Sequence, residues 1–113
     1  MSARIPSIGT LRERVQLQRK NMNSDPVGGH AISFTPLATV WAKVKSLRGR
    51  ERREADARSA IVSHTVMVRF RSDLSAGDQI IYRGKALEVL SADDLNGRRA
   101  YLSCSCIEKS VAG

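Results

Sequence analysis

The sequence predicts an all-β fold, a small six-stranded β-barrel or β-sandwich that carries a long loop and one short charged helix. Strand-like runs recur at near-regular spacing, and glycine-bearing turns join most of them. The hydrophobic content is 42% but aromatic residues make up only 4%, so the core has to be built from Val, Ile, Leu and Ala. We therefore expect a thin aliphatic β-core without a deep pocket.

The chain of 113 residues fits a single domain over residues 1–113, with flexible tails expected at residues 1–10 and 109–113. Its start lacks the apolar segment of a secretory signal, and no apolar run approaches the ~20 residues that cross a bilayer. These features predict a soluble protein made in the cytoplasm, with no membrane partner.

The first predicted strand covers residues 14–19, where polar and apolar side chains alternate and place Val15 and Leu17 inward. Residues 20–35 follow as a predicted long loop, because an Asp-Pro and a Gly-Gly pair interrupt regular structure there. Such a loop is either a mobile surface segment or one that becomes ordered on a partner. In the second case, Ile32 and Phe34 would be its apolar anchors.

The second predicted strand covers residues 37–47 and places Val40 and Val44 on its inward face. Trp41 then falls on the opposite, more polar face. A lone tryptophan in this position is either part of a core or satellite cluster, or an exposed anchor at a protein interface.

A short helix is predicted over residues 49–60, where Arg50 and Glu54, and Glu54 and Arg58, form opposite-charge pairs one turn apart. Its apolar residues are small alanines, so its hydrophobic stripe is weak. An isolated helix of this length is marginal in water. The segment is therefore either a solvated charged helix or one that the body of the sheet or a neighbouring subunit holds in place.

The remaining strands are predicted at residues 64–71, 79–82, 85–91 and 99–108, with a tight hairpin turn at residues 83–84. Cys104 and Cys106 lie on one face of the last strand, at or beyond the separation that a disulfide tolerates. They are expected to be reduced thiols in the core. A zinc site would need further ligands, and the spacing of the two histidines does not supply them.

The charge balance favours a polyanion or an acidic protein surface as partner, because 19 Lys and Arg exceed 11 Asp and Glu and give a net charge of +8. The basic residues are dispersed, and aromatic residues are not interleaved among them, which argues against sequence-specific readout. No nucleophile with a base, paired carboxylates or metal cluster can be assembled from the sequence. We therefore expect no enzymatic activity, no cofactor and no metal.

A series of short motifs runs through the chain, at residues 9–19, Asp25, Gly28, Gly29, 38–44, 47–51, 64–66, 68–71, 82–84, 97–99, Tyr101 and Leu102. Taken together, these motifs resemble the head-tail joining proteins of tailed bacteriophages, also called head closure or head-tail adaptor proteins. The similarity runs from about Gly9 to Glu108, and Phe34 stands where the family often carries tryptophan. Cys104 and Cys106 are not part of the family pattern.

The resemblance implies a small β-barrel that joins the capsid portal to the tail in the virion neck, and that is synthesised in the bacterial host cytoplasm. It implies a homo-oligomeric ring, commonly a dodecamer, around the DNA channel, in contact with portal or connector proteins and tail proteins. We expect the interface residues to be Asp25, Gly28, Gly29, Phe34, Trp41, Arg50, Glu51, Arg52, Arg53, Glu54, Ala55 and Arg58.

The alternative hypothesis is a nucleic-acid-binding β-barrel that uses its basic surface to contact DNA phosphates without reading bases. The residues expected to make these contacts are Lys43, Lys45, Arg69 and Arg71. A ring around DNA could combine both behaviours.

Overall fold

The computed structural model describes residues 11–24, 30–47 and 62–109, in which antiparallel strands close into a barrel in the order β1-β2-β3-β6-β5-β4. The elements are β1 (Glu13–Ser24), β2 (His30–Ser46), β3 (His64–Arg69), β4 (Gln79–Tyr82), β5 (Lys85–Asp94), a short 3₁₀ turn (Leu95–Gly97) and β6 (Tyr101–Glu108). The predicted all-β fold with a six-stranded barrel is confirmed. The helix predicted at residues 49–60 lies outside the described residues.

The core follows from the period-two alternation of the strands. Val15 and Leu17 of β1 and Val66 and Val68 of β3 are buried, as their positions predict. Two other expected core residues, Val40 and Val44 of β2, are only partly buried and pack against the edge of the cluster. The remaining members of the buried cluster are Ala42, Leu74, Ile80, Leu87, Val89, Leu102, Cys104 and Cys106.

Two turns around β4 have the backbone geometry that their residues favour. Gly77 has φ +95° in a turn where the Asp78 N–H donates to the Ser75 carbonyl at 3.1 Å, and this position of a type II turn favours glycine. Between β4 and β5, Arg83 and Gly84 have φ 49° and 80°, as a two-residue type I′ hairpin requires. The tight turn predicted at residues 83–84 is thus observed.

The prediction of a long loop at residues 20–35 is wrong, because β1 and β2 remain paired as far as Ser24, which lies opposite His30. Cross-strand hydrogen bonding overrides the low strand propensity of the asparagines and serines in this segment. Only residues 25–29 separate the strands, and they lie outside the described residues. We call residues 20–24 and 30–34 the hairpin arm.

The arm extends beyond the barrel wall as a two-stranded ribbon. The pairing of β1 with β4 ends at Gln18, and the pairing of β2 with β3 begins only at Ala42. A register shift between Leu17 and Gln18 marks the point where β1 leaves the barrel. Among the described strands, the strand pairing of the arm residues is therefore with each other.

Two contacts at the ends of the last strands were not predicted from the sequence. Strand β5 continues to Asp94 rather than ending at residue 91, and the Asp94 carboxylate accepts the Arg99 backbone N–H at 2.8 Å. Lys109 was expected in a flexible tail, but its backbone N–H donates to the Ala86 carbonyl at 2.9 Å. No helix within the described ranges is long and apolar enough to span a membrane.

The prediction that Cys104 and Cys106 are reduced core thiols is confirmed, because both are free and fully buried. Burial, together with the nearby Asp93 carboxylate, raises the pKa of the Cys104 thiol to about 12. Burial also raises the pKa of Cys106, with a smaller contribution from Cys104. Neither thiol is a ready nucleophile in the folded protein.

We expect native protein at pH 8 to resist a thiol reagent such as dithionitrobenzoate, and the denatured protein to react at both cysteines. In the unfolded chain, thiols ionise near pH 8.5, whereas the folded thiols stay protonated to much higher pH. Their contribution to stability is therefore complete below about pH 8.5 and declines as the pH rises towards 12. Rapid labelling without denaturant would contradict this account.

Candidate interaction surfaces

Trp41 lies on the outer face of the barrel with 53% of its surface exposed. The position follows from the alternation of β2, which turns Ala42 into the core and its neighbour outward. Arg14, the cross-strand partner of Trp41 on β1, places its guanidinium 5.1 Å from the centre of the indole ring. Trp41 is thus an exposed residue rather than a core residue, and its role as an interface anchor stays a prediction.

Trp41 borders an open groove at the side of the barrel, formed by two adjoining depressions of about 420 and 370 Å³. The floor is largely apolar, and the rim carries arginines. We call it the Trp41 groove. The described residues that line it are Leu11, Arg12, Thr39, Val40, Trp41, Arg69, Phe70 and Arg71.

Arg71 has an internal partner at the edge of this groove. Its Nε and Nη2 atoms donate to the two carboxylate oxygens of Asp73 at 2.9 and 2.8 Å. The hydrogen bond to Arg71 holds the pKa of Asp73 below its usual range. Arg71, predicted as a phosphate contact, is therefore already paired with a carboxylate of its own chain.

The other predicted phosphate contacts share one outer face of β2 and β3. Lys43 and Lys45 lie opposite Met67 and Thr65. Both lysines line a depression of about 110 Å³, together with residues of β3 and Ser103. Arg69 continues the same outward face of β3 but borders the Trp41 groove. The structure therefore separates a lysine patch, Lys43 and Lys45, from the arginine-rimmed groove.

The hairpin arm carries a second exposed apolar surface. Met22 and Ile32 are cross-strand partners and remain 60% and 56% exposed, so they form one apolar pair. The neighbouring pair, Asn21 and Ser33, lies on the opposite, polar face of the ribbon. The arm is thus amphipathic, which the loop prediction missed, although Ile32 was expected as an anchor.

The root of the arm is fixed to the barrel by polar contacts. The Lys20 backbone N–H donates to a carboxylate oxygen of the buried Asp78 at 3.0 Å. The Lys109 ammonium lies 4.6 Å from the centre of the Phe34 ring and donates to Gln79 Oε1 at 3.1 Å. Phe34, predicted as an interface residue, is partly buried at this root.

The two apolar surfaces are well separated. A rise of about 3.3 Å per residue places Met22 roughly 26 Å from Arg14 along β1. The other predicted interface residues lie outside the described residues: Asp25, Gly28, Gly29, Arg50, Glu51, Arg52, Arg53, Glu54, Ala55 and Arg58. Within the described part of the chain, no group of three His, Cys, Asp or Glu side chains could hold a metal ion.

A small closed barrel that leaves large apolar side chains exposed at two sites is typical of proteins that build assemblies by surface contacts. A family model described as phage head completion protein matches residues 6–109. Head completion protein gp7 of Enterobacteria phage HK97 is 30% identical over 103 residues, which span 87% of this chain and 92% of that protein. The chain therefore belongs to the phage head completion protein family, as the resemblance to joining proteins predicted.

Solved structures show the same fold. The solution structure of protein SF1141 from Shigella flexneri 2a matches with a TM-score of 0.68 at 25% identity, over 91% of this chain and 96% of that one. A chain of the native gene transfer agent particle virion matches with a TM-score of 0.65 at 21% identity, over 90% and 97%. Family membership gives the chain a structural role in the head-tail region of a phage particle.

Proposed function

We propose that the protein is a non-catalytic joining protein that forms a ring in the neck of a tailed phage or phage-like particle. The ring lies between portal and tail and surrounds the channel through which DNA leaves. Its partners are further copies of the chain, portal or connector proteins, and tail proteins. The observation that carries the proposal is the family match over residues 6–109, nearly the whole chain.

The exposed surfaces agree with this role. Met22, Ile32 and Trp41 are the large hydrophobic side chains that remain exposed among the described residues. Apolar surfaces that a monomer leaves open are typical of sites that a partner covers. Because the two surfaces lie at different places on one chain, head-to-tail contacts between copies could use both and close into a ring.

The test is to produce particles from a genome that lacks this chain. DNA-filled heads without tails should accumulate, and supplying the wild-type chain in trans should restore tailed particles. Electron microscopy and infectivity or transfer assays measure the outcome. Normal yields of tailed particles in the absence of the chain would rule out the joining role.

A second candidate function is non-specific DNA binding, supported by the shared outer face of Lys43 and Lys45 with Arg69. This hypothesis predicts tight duplex binding that weakens steeply with salt. A Lys43→Glu, Lys45→Glu variant should then lose most of the affinity. Duplex affinity no stronger than that of an unrelated protein of net charge +8 would contradict it.

A further inference from the structure

We propose that the Trp41 groove is a docking site for an acidic protein segment that inserts one apolar side chain against Trp41. The acidic segment would belong to a protein that this chain meets in the particle, so its biological role rests on the joining function proposed above. Binding itself can be measured on the isolated protein.

The floor of the groove suits an aliphatic or aromatic side chain. Leu11 is buried below it, and Val40 and Phe70 contribute partly buried surfaces that pack against the barrel core. Trp41 forms an exposed wall beside them. An inserted side chain would therefore lose water on several sides, and tryptophan-lined pockets of this kind are typical binding hot spots.

The rim of the groove selects for negative charge. Arg12, Arg69 and Arg71 line it, and Arg14 stacks on Trp41 beside it. None of the described lining residues is acidic. Guanidinium groups around an apolar floor fit an apolar side chain that is flanked by carboxylates.

Asp73 already places one carboxylate at the rim of the groove, beside Arg71. Asp73 pairs with Arg71 through two nearly equal hydrogen bonds, which shows that the rim geometry accepts a carboxylate side-on. The same pair reduces the net positive charge at one end of the groove. Arg69 lines both depressions of the groove and is the rim charge on which the test below depends.

Nucleic acid fits this site less well than protein. Single-stranded nucleic acid is held by successive aromatic platforms, whereas Trp41 is the one exposed aromatic side chain in the described lining, because Phe70 is partly buried. A phosphate backbone would leave the apolar floor uncovered. The lysine patch, which a backbone could follow, lies outside the groove.

The probe is a blocked synthetic peptide with one leucine between two pairs of acidic residues. Trp41 is the sole tryptophan of the chain, so intrinsic fluorescence reports directly on the groove. Titration with the peptide should shift the emission to shorter wavelength and saturate. A peptide with serine in place of leucine, a peptide with lysines in place of the acids, and an oligonucleotide duplex are the comparison ligands.

Matched charge variants separate the groove from the general basic surface. Arg69→Gln should weaken the binding of the acidic peptide by about tenfold or more, because a charge-assisted hydrogen bond at the rim is lost. Lys43→Gln removes the same charge from the lysine patch and should weaken binding by less than about threefold. Equal losses in the two variants would contradict a groove-specific site.

A response to the duplex as strong as to the acidic peptide, or no saturable response to the peptide, would also overturn the proposal. The outcomes remain distinguishable from those for the joining role. Saturable peptide binding with normal tails in particles lacking the chain would leave the docking site standing and remove the joining role. Tail loss without peptide binding would do the reverse.

Discussion

Replacing Ile80 by alanine is expected to lower the free energy of unfolding by about 2–5 kcal/mol. Ile80 is fully buried and lies opposite Leu17, where β4 closes the barrel against β1. The substitution removes methyl groups from the centre of an aliphatic cluster and leaves a cavity. Urea denaturation followed by circular dichroism measures the change.

Ile32→Ala is the matched control, because it makes the same chemical change on a strand residue that is 56% exposed. Its effect on unfolding should stay within about 0.5 kcal/mol. Similar losses in the two variants would show that the arm packs on the protein body as firmly as the core does. A negligible loss for Ile80→Ala would contradict the closed barrel.

Charging the apolar face of the hairpin arm with Met22→Asp and Ile32→Asp should reduce the yield of tailed particles by at least about tenfold. The two side chains form an exposed cross-strand pair, so aspartates remain solvated in the free protein but would be buried against a partner. We therefore expect lost assembly with a retained fold. Complementation of particles lacking the chain, with circular dichroism of the purified variant, measures both effects.

The control uses the opposite face of the same ribbon. Asn21→Asp and Ser33→Asp place an identical pair of charges at the adjacent cross-strand position. Any cost from like charges facing each other across the arm is then common to both variants. Equal particle yields from the two variants would show that the apolar pair is not the contact.

Much of the barrel could be predicted from local pattern. Alternation in β1 and β3 identified the inward residues, and the Arg83-Gly84 pair located the β4–β5 hairpin, because each signal acts through nearest neighbours along the chain. The outward position of Trp41 followed from the same alternation. The sequence could not predict whether another element covers Trp41, because such coverage depends on contacts between residues distant in sequence.

The hairpin arm could not be predicted in this way. Asparagine and serine favour turns, so residues 20–24 carried no strand signal of their own. Their strand conformation comes from pairing with residues 30–34 and from the anchorage of Lys20 on Asp78, which is 58 positions away. The apolar pair of Met22 and Ile32 becomes visible only once this register is known.

The ion pair between Arg71 and Asp73 is a second feature that the sequence could not predict. Sequence alone placed Arg71 with the other basic residues as a phosphate contact. Its partner Asp73 is only two positions away, but their bidentate contact depends on the bend that follows β3. Charge counts therefore overstated the basic surface that remains to meet a partner.

A reconstruction of the particle neck at side-chain resolution tests the central claim most directly. The joining role predicts a ring of copies of this barrel between portal and tail, with Met22, Ile32 and Trp41 covered by neighbouring protein. The groove should then hold an acidic segment beside Arg69. A neck in which this barrel is absent, or in which all three side chains face solvent, would contradict the account.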